Sequence, residues 1–507
     1  MVTAAAWSIA LAGLSGALVE VEAHIGLGLP RTILVGLPDA ALHEAKDRVK
    51  AATAAVGLGW PDHLLTINLS PASLPKNGSH YDLAIAAAVL GAQQKVPVEQ
   101  LPRFVLLGEL GLQGQVRPVR GILPALLAAR EAGFERAIIP AAQAAEANLV
   151  SGLTLWPVAQ LSEVVDVLQG NPVPHDLPEQ LESARERIPD LADVRGHAAG
   201  KWALEVAAAG RHHLFLHGAP GVGKTMLAKR LPGLLPDLTD EESLEVSALH
   251  SLAGRDLGGR LLQRPMFSDP HHSSTMASLV GGGGREIRPG AISLSHRGVL
   301  FLDEAPEFGA KLLDALRTPL EAGEVTICRA ANQVSFPARF QLVLSANPCP
   351  CGFHGVLGHQ CRCSVTSVRR YQQRISGPIL DRIDIRHHML PLRHSITAAG
   401  QEGETSEVVR QRVVAARDRQ RRRLRDTPWE TNAEVPGPFL RGQLPLPADV
   451  KPLEEALVTG RLSVRGVDKV IRVAWTLADL AGADRPSGAH VRAAMVMRHA
   501  ELSGVAA

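Results

Sequence analysis

Residues 218–225 read Gly218-Ala219-Pro220-Gly221-Val222-Gly223-Lys224-Thr225, and this stretch decides the fold of the chain. It follows an apolar run with the composition of a strand, Leu214–Leu216, and precedes a helix-compatible segment that begins at Met226. Glycines let the backbone curl so that successive N–H groups point at phosphate oxygens at the start of that helix. Lys224 would reach the outer phosphates, and the hydroxyl of Thr225 would hold Mg²⁺. The stretch from Gly218 to Met226 therefore predicts a nucleoside-triphosphate site in a P-loop α/β core.

Length and composition limit the class of protein. The chain has 507 residues, which corresponds to roughly three or four domains. With 46% apolar and 21% charged residues it has the composition of a globular protein with an ample core. The formal net charge is only +2, so any contact with nucleic acid must come from local basic patches. Residues 1–19 are small and apolar but lack a basic segment or a long hydrophobic span, which predicts a cytoplasmic protein without a signal peptide or membrane helix.

A second motif supplies carboxylates to the same site. The apolar run Val299–Leu302 leads directly into Asp303 and Glu304, as expected of a buried parallel strand that delivers acids at its tip. Asp303 would order Mg²⁺ through water, and Glu304 would polarise the attacking water. An apolar run followed by Asp-Glu is common by chance, but it becomes specific in an α/β core that already contains a phosphate loop.

Two polar residues further along the chain are candidates for contact with the terminal phosphate. The predicted strand Phe340–Ser345 ends at Asn347, whose amide would hold the attacking water or the phosphate. Arg382 follows in a Leu-Asp-Arg-Ile-Asp segment and suits an arginine finger contributed to the nucleotide of a neighbouring subunit. The alternative for Arg382 is a surface ion pair with Asp384, which would stabilise little.

The order of these motifs resembles the AAA+ ATPases of the magnesium-chelatase branch. Residues 268–296 interrupt the core as the helix-2 insert of that branch does, and residues 323–338 are similar to its hairpin before the sensor strand. The resemblance implies that the two insertions project into a ring pore, where Arg285, Arg288 and Arg329 would contact a phosphate backbone. It also implies that the segment with Val194 and Gly196 packs on the adenine. The glycine run 281–284 can alternatively be a loop without a partner.

The N-terminal residues 1–170 have alternating strand and helix patterns that predict an α+β domain with its own core. Two pieces, Pro75–His80 and Gly114–Leu123, resemble the proteolytic domain of Lon. The resemblance puts His80 where Lon has its nucleophilic serine and Leu123 where Lon has its catalytic lysine. Because leucine cannot take a proton from a nucleophile, we expect a Lon-like fold without peptidase activity.

Four of the five cysteines lie close together in the sequence as two Cys-x-Cys pairs. They are Cys349, Cys351, Cys361 and Cys363. Four thiolates at this spacing can close a tetrahedral structural zinc site, in which His354 or His359 could replace one thiolate. The fifth, Cys328, lies apart and is expected to be an ordinary packed thiol.

The C-terminal part begins with a strongly basic segment. Residues 410–425 contain eight arginines and one acid in a register compatible with a helix. Such a segment is either a solvated helix face or a surface that tracks phosphates, and the sequence leaves both open. After a Pro-rich connection, 428–447, the remaining residues predict the helical lid of an AAA+ core. Arg465, at the start of a long amphipathic helix, resembles the second sensor arginine of that lid.

Taken together, the chain resembles the YifB/ComM family over its whole length. The predicted parts are a Lon-like domain (1–170), a linker (171–190), an AAA+ core with the cysteine cluster (191–395), a basic helix and linker (396–446) and a helical lid (447–507). The family includes a hexameric DNA helicase that drives branch migration in natural transformation, which implies ATP, Mg²⁺, DNA and a homo-oligomeric ring. The alternatives are a metal-insertion motor of the chelatase type and a protein-remodelling ATPase.

Overall fold

In a computed structural model of the chain, the N-terminal domain is built on a seven-stranded mixed sheet. The model describes residues 3–36, 40–74, 76, 78–173, 188–283, 287–329, 332–356, 358–391 and 403–499. The strands are β1 (Thr3–Ala12), β2 (Ser15–Gly26), β3 (Arg31–Val35), β4 (Leu64–Ser70), β5 (Val105–Leu106), β6 (Glu109–Leu110), β7 (Val116–Arg117), β8 (Arg136–Pro140) and β9 (Thr154–Val158). The sheet order is β3-β4-β2-β1-β5-β8-β9, and β6 and β7 form a separate hairpin.

The helices of this domain are α1 (Ala40–Ala55), α2 (Asp82–Ala92), α3 (Ile122–Glu131), α4 (Ala144–Ala147) and α5 (Leu161–Gln169). Helix α2 is buried along its entire length, because its residues are almost all small or apolar and it packs on β1 and β2. These strands and helices agree with the α+β prediction for this part of the chain, although β1 has no clear strand pattern. That strand is rich in alanine and pairs with β2 along its full length, from Thr3 opposite His24 to Ala12 opposite Ser15.

The second sheet has five parallel strands and carries the phosphate loop. The strands of this part are β10 (Leu214–Gly218), β11 (Phe267–Ser268), β12 (Gly281–Gly282), β13 (Arg288–Pro289), β14 (Val299–Leu302), β15 (Glu324–Arg329), β16 (Asn332–Pro337), β17 (Gln341–Ala346) and β18 (Ile385–Met389). The sheet order is β11-β14-β17-β10-β18. Strands β10, β14 and β17 are buried on both faces, as their apolar composition requires in a parallel sheet with helices on either side.

The helices that surround this sheet are mostly short, whereas the C-terminal ones are long. They are α6 (Ala198–Gly210), α7 (Lys224–Ala228), α8 (Leu231–Leu234), α9 (Asp240–Leu252), α10 (Met276–Val280), α11 (Ala291–Leu294), α12 (Ala310–Asp314), α13 (Arg317–Ala322), α14 (Val365–Gln372), α15 (Gly377–Leu380), α16 (Ser406–Leu424), α17 (Gly437–Gly442), α18 (Lys451–Val458), α19 (Val464–Ala481) and α20 (Gly488–His499). Short 3₁₀ turns cover Val98–Arg103, Ala141–Gln143, Leu191–Asp193, Ala305–Phe308 and Asn432–Glu434. The segment 428–447, predicted as a connection, therefore contains α17 and a 3₁₀ turn. None of the described helices is both long and apolar enough to cross a membrane.

Helix α19 joins the C-terminal helices to the core. It begins after Ser463, whose hydroxyl accepts a hydrogen bond from the backbone N–H of Gly466 at 3.1 Å, and it ends at Gly482 in a left-handed conformation. Its apolar face, including the fully buried Trp475, packs against α6 and α16. The C-terminal helices and the five-stranded sheet consequently share one hydrophobic core.

The N-terminal domain contacts the second sheet's domain through α3 and α9. The backbone N–H of Gly121 donates to the carbonyl oxygen of Ser251 at 3.2 Å, and that of Leu123 donates to the Ser251 hydroxyl at 3.4 Å. Leu123 is completely buried and shares a hydrophobic cluster with Ala248 of α9. The residue at the position of the Lon lysine thus forms part of an interface within the chain.

The hairpin β15–β16 is antiparallel and lies against the turn between β1 and β2. A β-carbon on Gly13 would lie 2.7 Å from the carbonyl oxygen of Ser335, so the two backbones are in close contact. Phe336 is fully buried between this turn and α9. Cys328, which we expected to be packed, is exposed because alternate residues of a two-stranded hairpin face solvent.

Candidate nucleotide site

The strand order brings three predicted motifs to one edge of the sheet. Strand β17 lies between β10 and β14, and all three strands run parallel. The phosphate loop after β10, Asn347 after β17 and Asp303 after β14 therefore emerge side by side at the carboxyl ends of neighbouring strands. Ligands of open α/β sheets bind at this edge.

Lys224 is at the centre of this edge. Its Nζ donates hydrogen bonds to the carbonyl oxygens of Gly218 and Ala219, at 2.8 and 2.9 Å, and to Oδ1 of Asn347 at 2.9 Å. Burial lowers the pKa of Lys224 to about 8, against the opposing effect of the carboxylates of Asp303 and Glu304. All three ammonium protons are used, so a phosphate that binds Lys224 must replace at least one of these acceptors.

Asp303 connects the phosphate loop with the strand tips. The hydroxyl of Thr225 donates to Oδ2 of Asp303 at 2.6 Å, and the hydroxyl of Ser345 donates to Oδ1. Ser345 was not predicted, because a single hydroxyl near the end of the buried strand β17 has no pattern that marks it. Glu304 follows with a left-handed φ of 50°, and its backbone N–H donates to Oδ1 of Asp303 at 3.0 Å. Such a conformation is rare outside glycine and turns the chain sharply after the strand.

The predicted adenine segment lies against the phosphate loop. Val194 is completely buried in the core, and Gly196 and His197 both have positive φ values, 65° and 52°. A β-carbon on Gly223 would lie 2.9 Å from Cε of Met226 and 3.9 Å from Nε2 of His197. His197, which the sequence analysis did not single out, therefore lies beside the loop together with Met226.

Arg382 and Arg465 lie away from Lys224. Strand β18 pairs with β10 from Leu214 opposite Ile385 to Gly218 opposite Met389, so Arg382 precedes the end of the sheet opposite to the phosphate loop. The four steps of about 3.3 Å from Leu214 to Gly218 separate the two ends by roughly 13 Å. Neither arginine reaches the nucleotide site of its own chain.

The two arginines line one cleft of about 720 Å³, together with other basic residues of the core and of α19. Arg382 forms an ion pair with Glu321, and its Nη1 donates to the carbonyl oxygen of Pro378 at 2.7 Å. Arg465 is 75% exposed and lies 3.8 Å from a carboxylate oxygen of Asp381. The predicted alternative partner of Arg382, Asp384, is instead bound to Lys469 at 2.6 Å.

The four clustered cysteines converge on one point. Cys349 Sγ lies 3.3 Å from Sγ of Cys351 and 3.7 Å from Sγ of Cys361, and the four sulfur atoms all lie within 4.8 Å of one another. A zinc ion with Zn–S bonds of about 2.3 Å would place its four sulfur atoms about 3.8 Å apart. The donor set therefore fits a tetrahedral tetrathiolate metal site without a histidine.

The eight arginines of α16 and its end have partners within the chain. Five of them pair with side chains: Arg410 with Glu407 and Asp237, Arg412 with Glu205 and Glu404, Arg421 with Asp418, Arg423 with Asp479 and Asn432, and Arg425 with Asp426, while Arg417 donates to the carbonyl oxygen of Ala208. Arg419 donates to the carbonyl oxygen of Asp479, and Arg422 donates to the carbonyl oxygen of Asp418. Arg423 also lies over the ring of Trp475 at 4.2 Å. The five arginines other than Arg421, Arg422 and Arg425 therefore bind residues outside the helix, whereas those three are exposed and pair only with residues of α16 or its end.

Known protein families and individual relatives match this chain over almost its whole length. Family models described as magnesium chelatase subunit ChlI, subunit ChlI of Mg-chelatase and the ChlI C-terminal region match residues 190–397, 21–143 and 403–498. An uncharacterized protein of Mycobacterium tuberculosis is 52% identical over 97% of this chain and 98% of its own length.

Two named relatives match over comparable lengths. Competence protein ComM of Haemophilus influenzae is 41% identical over 98% of both chains, and protein YifB of Salmonella typhimurium is 40% identical over 96% of this chain and 95% of its own. The N-terminal region is in addition similar to Lon protease 2 of Bacillus subtilis, at 28% identity over 143 residues. The chain belongs to the YifB/ComM family of magnesium-chelatase-like AAA+ proteins.

Proposed function

We propose that this protein is an ATP-driven DNA motor, a helicase or branch-migration factor that acts as a hexameric ring in natural transformation and homologous recombination. The observation that carries the proposal is the separation of Lys224 and Arg382 at opposite ends of one sheet. A site that needs both residues is complete only between two copies of the chain. The similarity to a competence protein favours DNA as the substrate on which the ring acts.

The residues at the sheet edge divide the work of ATP hydrolysis. Mg²⁺, held through Thr225 and Asp303, would neutralise charge on the phosphates. Lys224 binds the outer phosphates, and Glu304 takes a proton from the attacking water as general base. Asn347 orients that water or the terminal phosphate from the tip of β17. The hydrogen bond from Thr225 to Asp303 supports this assignment because it brings both magnesium ligands together.

Arg382 would act on the nucleotide of the neighbouring subunit, with Arg465 beside it. Both lie in the same cleft, and Arg382 has Glu321 as its counter-ion within the chain. A triphosphate presented by a second copy carries more negative charge than one carboxylate, and bidentate arginine–phosphate contacts are strong. When the ring assembles, Arg382 would therefore release Glu321 and bind the phosphate of the neighbouring subunit's nucleotide.

The contacts with DNA would come from the insertions and not from α16. The arginines of α16 are engaged within the chain. The hairpin β15–β16 packs on the N-terminal domain through one face and would line the pore with the other. The segment from α10 to α11, which we assign as the helix-2 insert, would lie beside it. Of the three arginines predicted there, Arg288 belongs to the described strand β13; Arg285 and the side chain of Arg329 lie outside the described residues.

The cysteine site would hold a structural zinc ion. Its four thiolates follow the Asn347 strand end directly and offer no open coordination position, which is typical of structural zinc. We also propose that the N-terminal domain has no peptidase activity, because Leu123 is buried against α9 and cannot act as a base.

The competing function is metal insertion of the chelatase type. The Lon-like domain does not distinguish it, since the family model over residues 21–143 also carries the name of the chelatase subunit. The test is branch migration of a forked, three-stranded DNA with ATP, alongside the Lys224→Ala variant. ATP-dependent strand exchange by the wild type alone, with DNA-stimulated ATPase activity that falls steeply with salt, supports the motor. ATPase activity that is not stimulated by DNA but is stimulated by a porphyrin-site partner would favour the metal-insertion function.

A further inference from the structure

We propose that the four-cysteine loop, when it holds its metal ion, positions the phosphate loop, so that metal binding sets the affinity for nucleotide. The inference rests on the proposed ATP and metal sites and goes beyond them, because it assigns the metal an effect on the neighbouring site. The contact between Gly352 and Pro220 carries it, and the short segment from Asn347 to Cys349 places the two sites next to each other.

The backbone of Gly352 lies against the ring of Pro220 in the phosphate loop. A β-carbon on Gly352 would lie 2.3 Å from Cγ and 2.5 Å from Cδ of Pro220, so no side chain fits between the two loops. Gly352 has a φ of +85°, and its N–H donates to the carbonyl oxygen of Cys349 at 2.9 Å. One metal ligand thus holds the residue that touches the phosphate loop.

The cysteine loop also begins directly beside the nucleotide site. Cys349 is completely buried and lies two residues after Asn347, whose Oδ1 accepts a hydrogen bond from Nζ of Lys224. Between them, the carbonyl oxygen of Pro348 accepts a hydrogen bond from Nε2 of Gln372 at 3.1 Å. The cysteine loop therefore starts from a strand end that lies beside the phosphate-binding lysine.

Turns and the packing of Val356 on the core shape the cysteine loop in the absence of a metal. Its described residues between β17 and α14 form neither helix nor strand. The stacked rings of Phe353 and His359, 4.7 Å apart, are its one described aromatic pair. The free energy of metal binding in such a loop is folding free energy. Loss of the metal would free Gly352 and, with it, Pro220 of the phosphate loop.

Two glycines of the loop allow a matched test. Gly352 and Gly358 have almost the same left-handed φ, +85° and +81°, but nothing lies within 4 Å of a β-carbon on Gly358. Gly352→Ala and Gly358→Ala thus introduce equal backbone strain, and only the first collides with Pro220. The measurements are zinc content, thermal stability of the zinc-loaded protein and the Kd of a fluorescent ATP analogue.

We expect Gly352→Ala to keep its zinc and to weaken binding about tenfold, while Gly358→Ala binds like the wild type. Stripping zinc from the wild type should weaken binding to a similar extent, zinc should restore it, and stripping should add little in Gly352→Ala. Pro220→Ala, which removes the ring atoms without adding strain, should make affinity insensitive to zinc even if Gly352→Ala fails to fold.

Equal affinities of the two glycine variants, or a wild-type affinity that does not change on zinc removal, would overturn the inference. A wild type that binds the analogue but contains no zinc would overturn it together with the metal assignment. A wild type that binds zinc but not the analogue would instead contradict the proposed ATPase.

Discussion

Oδ1 of Asn347 accepts a hydrogen bond from Nζ of Lys224 at 2.9 Å, which puts the strand-end amide and the phosphate-loop lysine in direct contact. Asn347 is thus within reach of any phosphate that binds Lys224. We predict that Asn347→Ala retains ATP binding but lowers kcat about 100-fold, because it removes a group aligned with the terminal phosphate. Steady-state kinetics test this: a higher KM with an unchanged kcat would instead assign Asn347 to ground-state binding.

The lowered pKa of Lys224 predicts that ATP affinity depends on pH. Burial lowers this pKa to about 8, whereas the phosphates of a bound nucleotide favour the ammonium and raise it. Below about pH 8 the free lysine is already charged; above it, binding must take up a proton. Affinity should fall by up to about tenfold per pH unit above that value.

The Kd of an ATP analogue measured between about pH 7.5 and 9.5 checks this prediction. Lys224→Arg provides the control, because its guanidinium stays charged over the whole range and any remaining affinity should show no such slope. The same slope in both proteins would mean that another group titrates.

Glu304 is predicted to be the general base. Glu304→Gln keeps the shape of the side chain but removes its proton acceptor, so we expect ATP to bind and hydrolysis to fall by at least about 100-fold. Glu307→Gln, three residues later, makes the same charge change where the carboxylate only pairs with the partly exposed Arg374. Single-turnover hydrolysis by both variants decides the point, and fast turnover in Glu304→Gln would place the base elsewhere.

The basic helix α16 is predicted to stabilise the fold without binding DNA. Arg423 pairs with the buried Asp479 at 2.7 Å, so Arg423→Met leaves an uncompensated carboxylate and should cost about 3 kcal/mol of unfolding free energy. Arg425→Met, where the side chain is 79% exposed, should leave stability almost unchanged. Neither variant should alter the salt dependence of DNA binding. A smaller slope of log affinity against log salt concentration in Arg425→Met would show that α16 contacts DNA.

The motifs at the sheet edge can be located from the sequence, because each is a local pattern at the end of an apolar strand. Lys224, Asp303 and Asn347 meet as expected once β17 lies between β10 and β14. Ser345 escaped notice because a single hydroxyl at the end of a buried strand has no local signature. It joins the site only through its contact with Asp303.

Features that depend on distant partners could not be predicted. The arginines of α16 pair with residues such as Glu205 and Asp479, far away in the chain, so their pattern alone left two interpretations open. The pairing of Arg382 with Glu321 had no local signal for the same reason. Strand β1 was missed because its alanines lack the β-branched and aromatic residues that indicate strands.

The central claim is that ATP is hydrolysed between two copies of the chain. The most direct test mixes Lys224→Ala with Arg382→Ala, each expected to be inactive alone, and measures ATPase activity once energy transfer between labelled protomers shows that subunits have exchanged. Random mixing gives roughly a quarter of the interfaces an intact lysine from one protomer and an intact arginine from the next, so we predict that activity returns. A mixture that stays inactive after exchange, or full activity of Arg382→Ala by itself, would contradict hydrolysis between subunits.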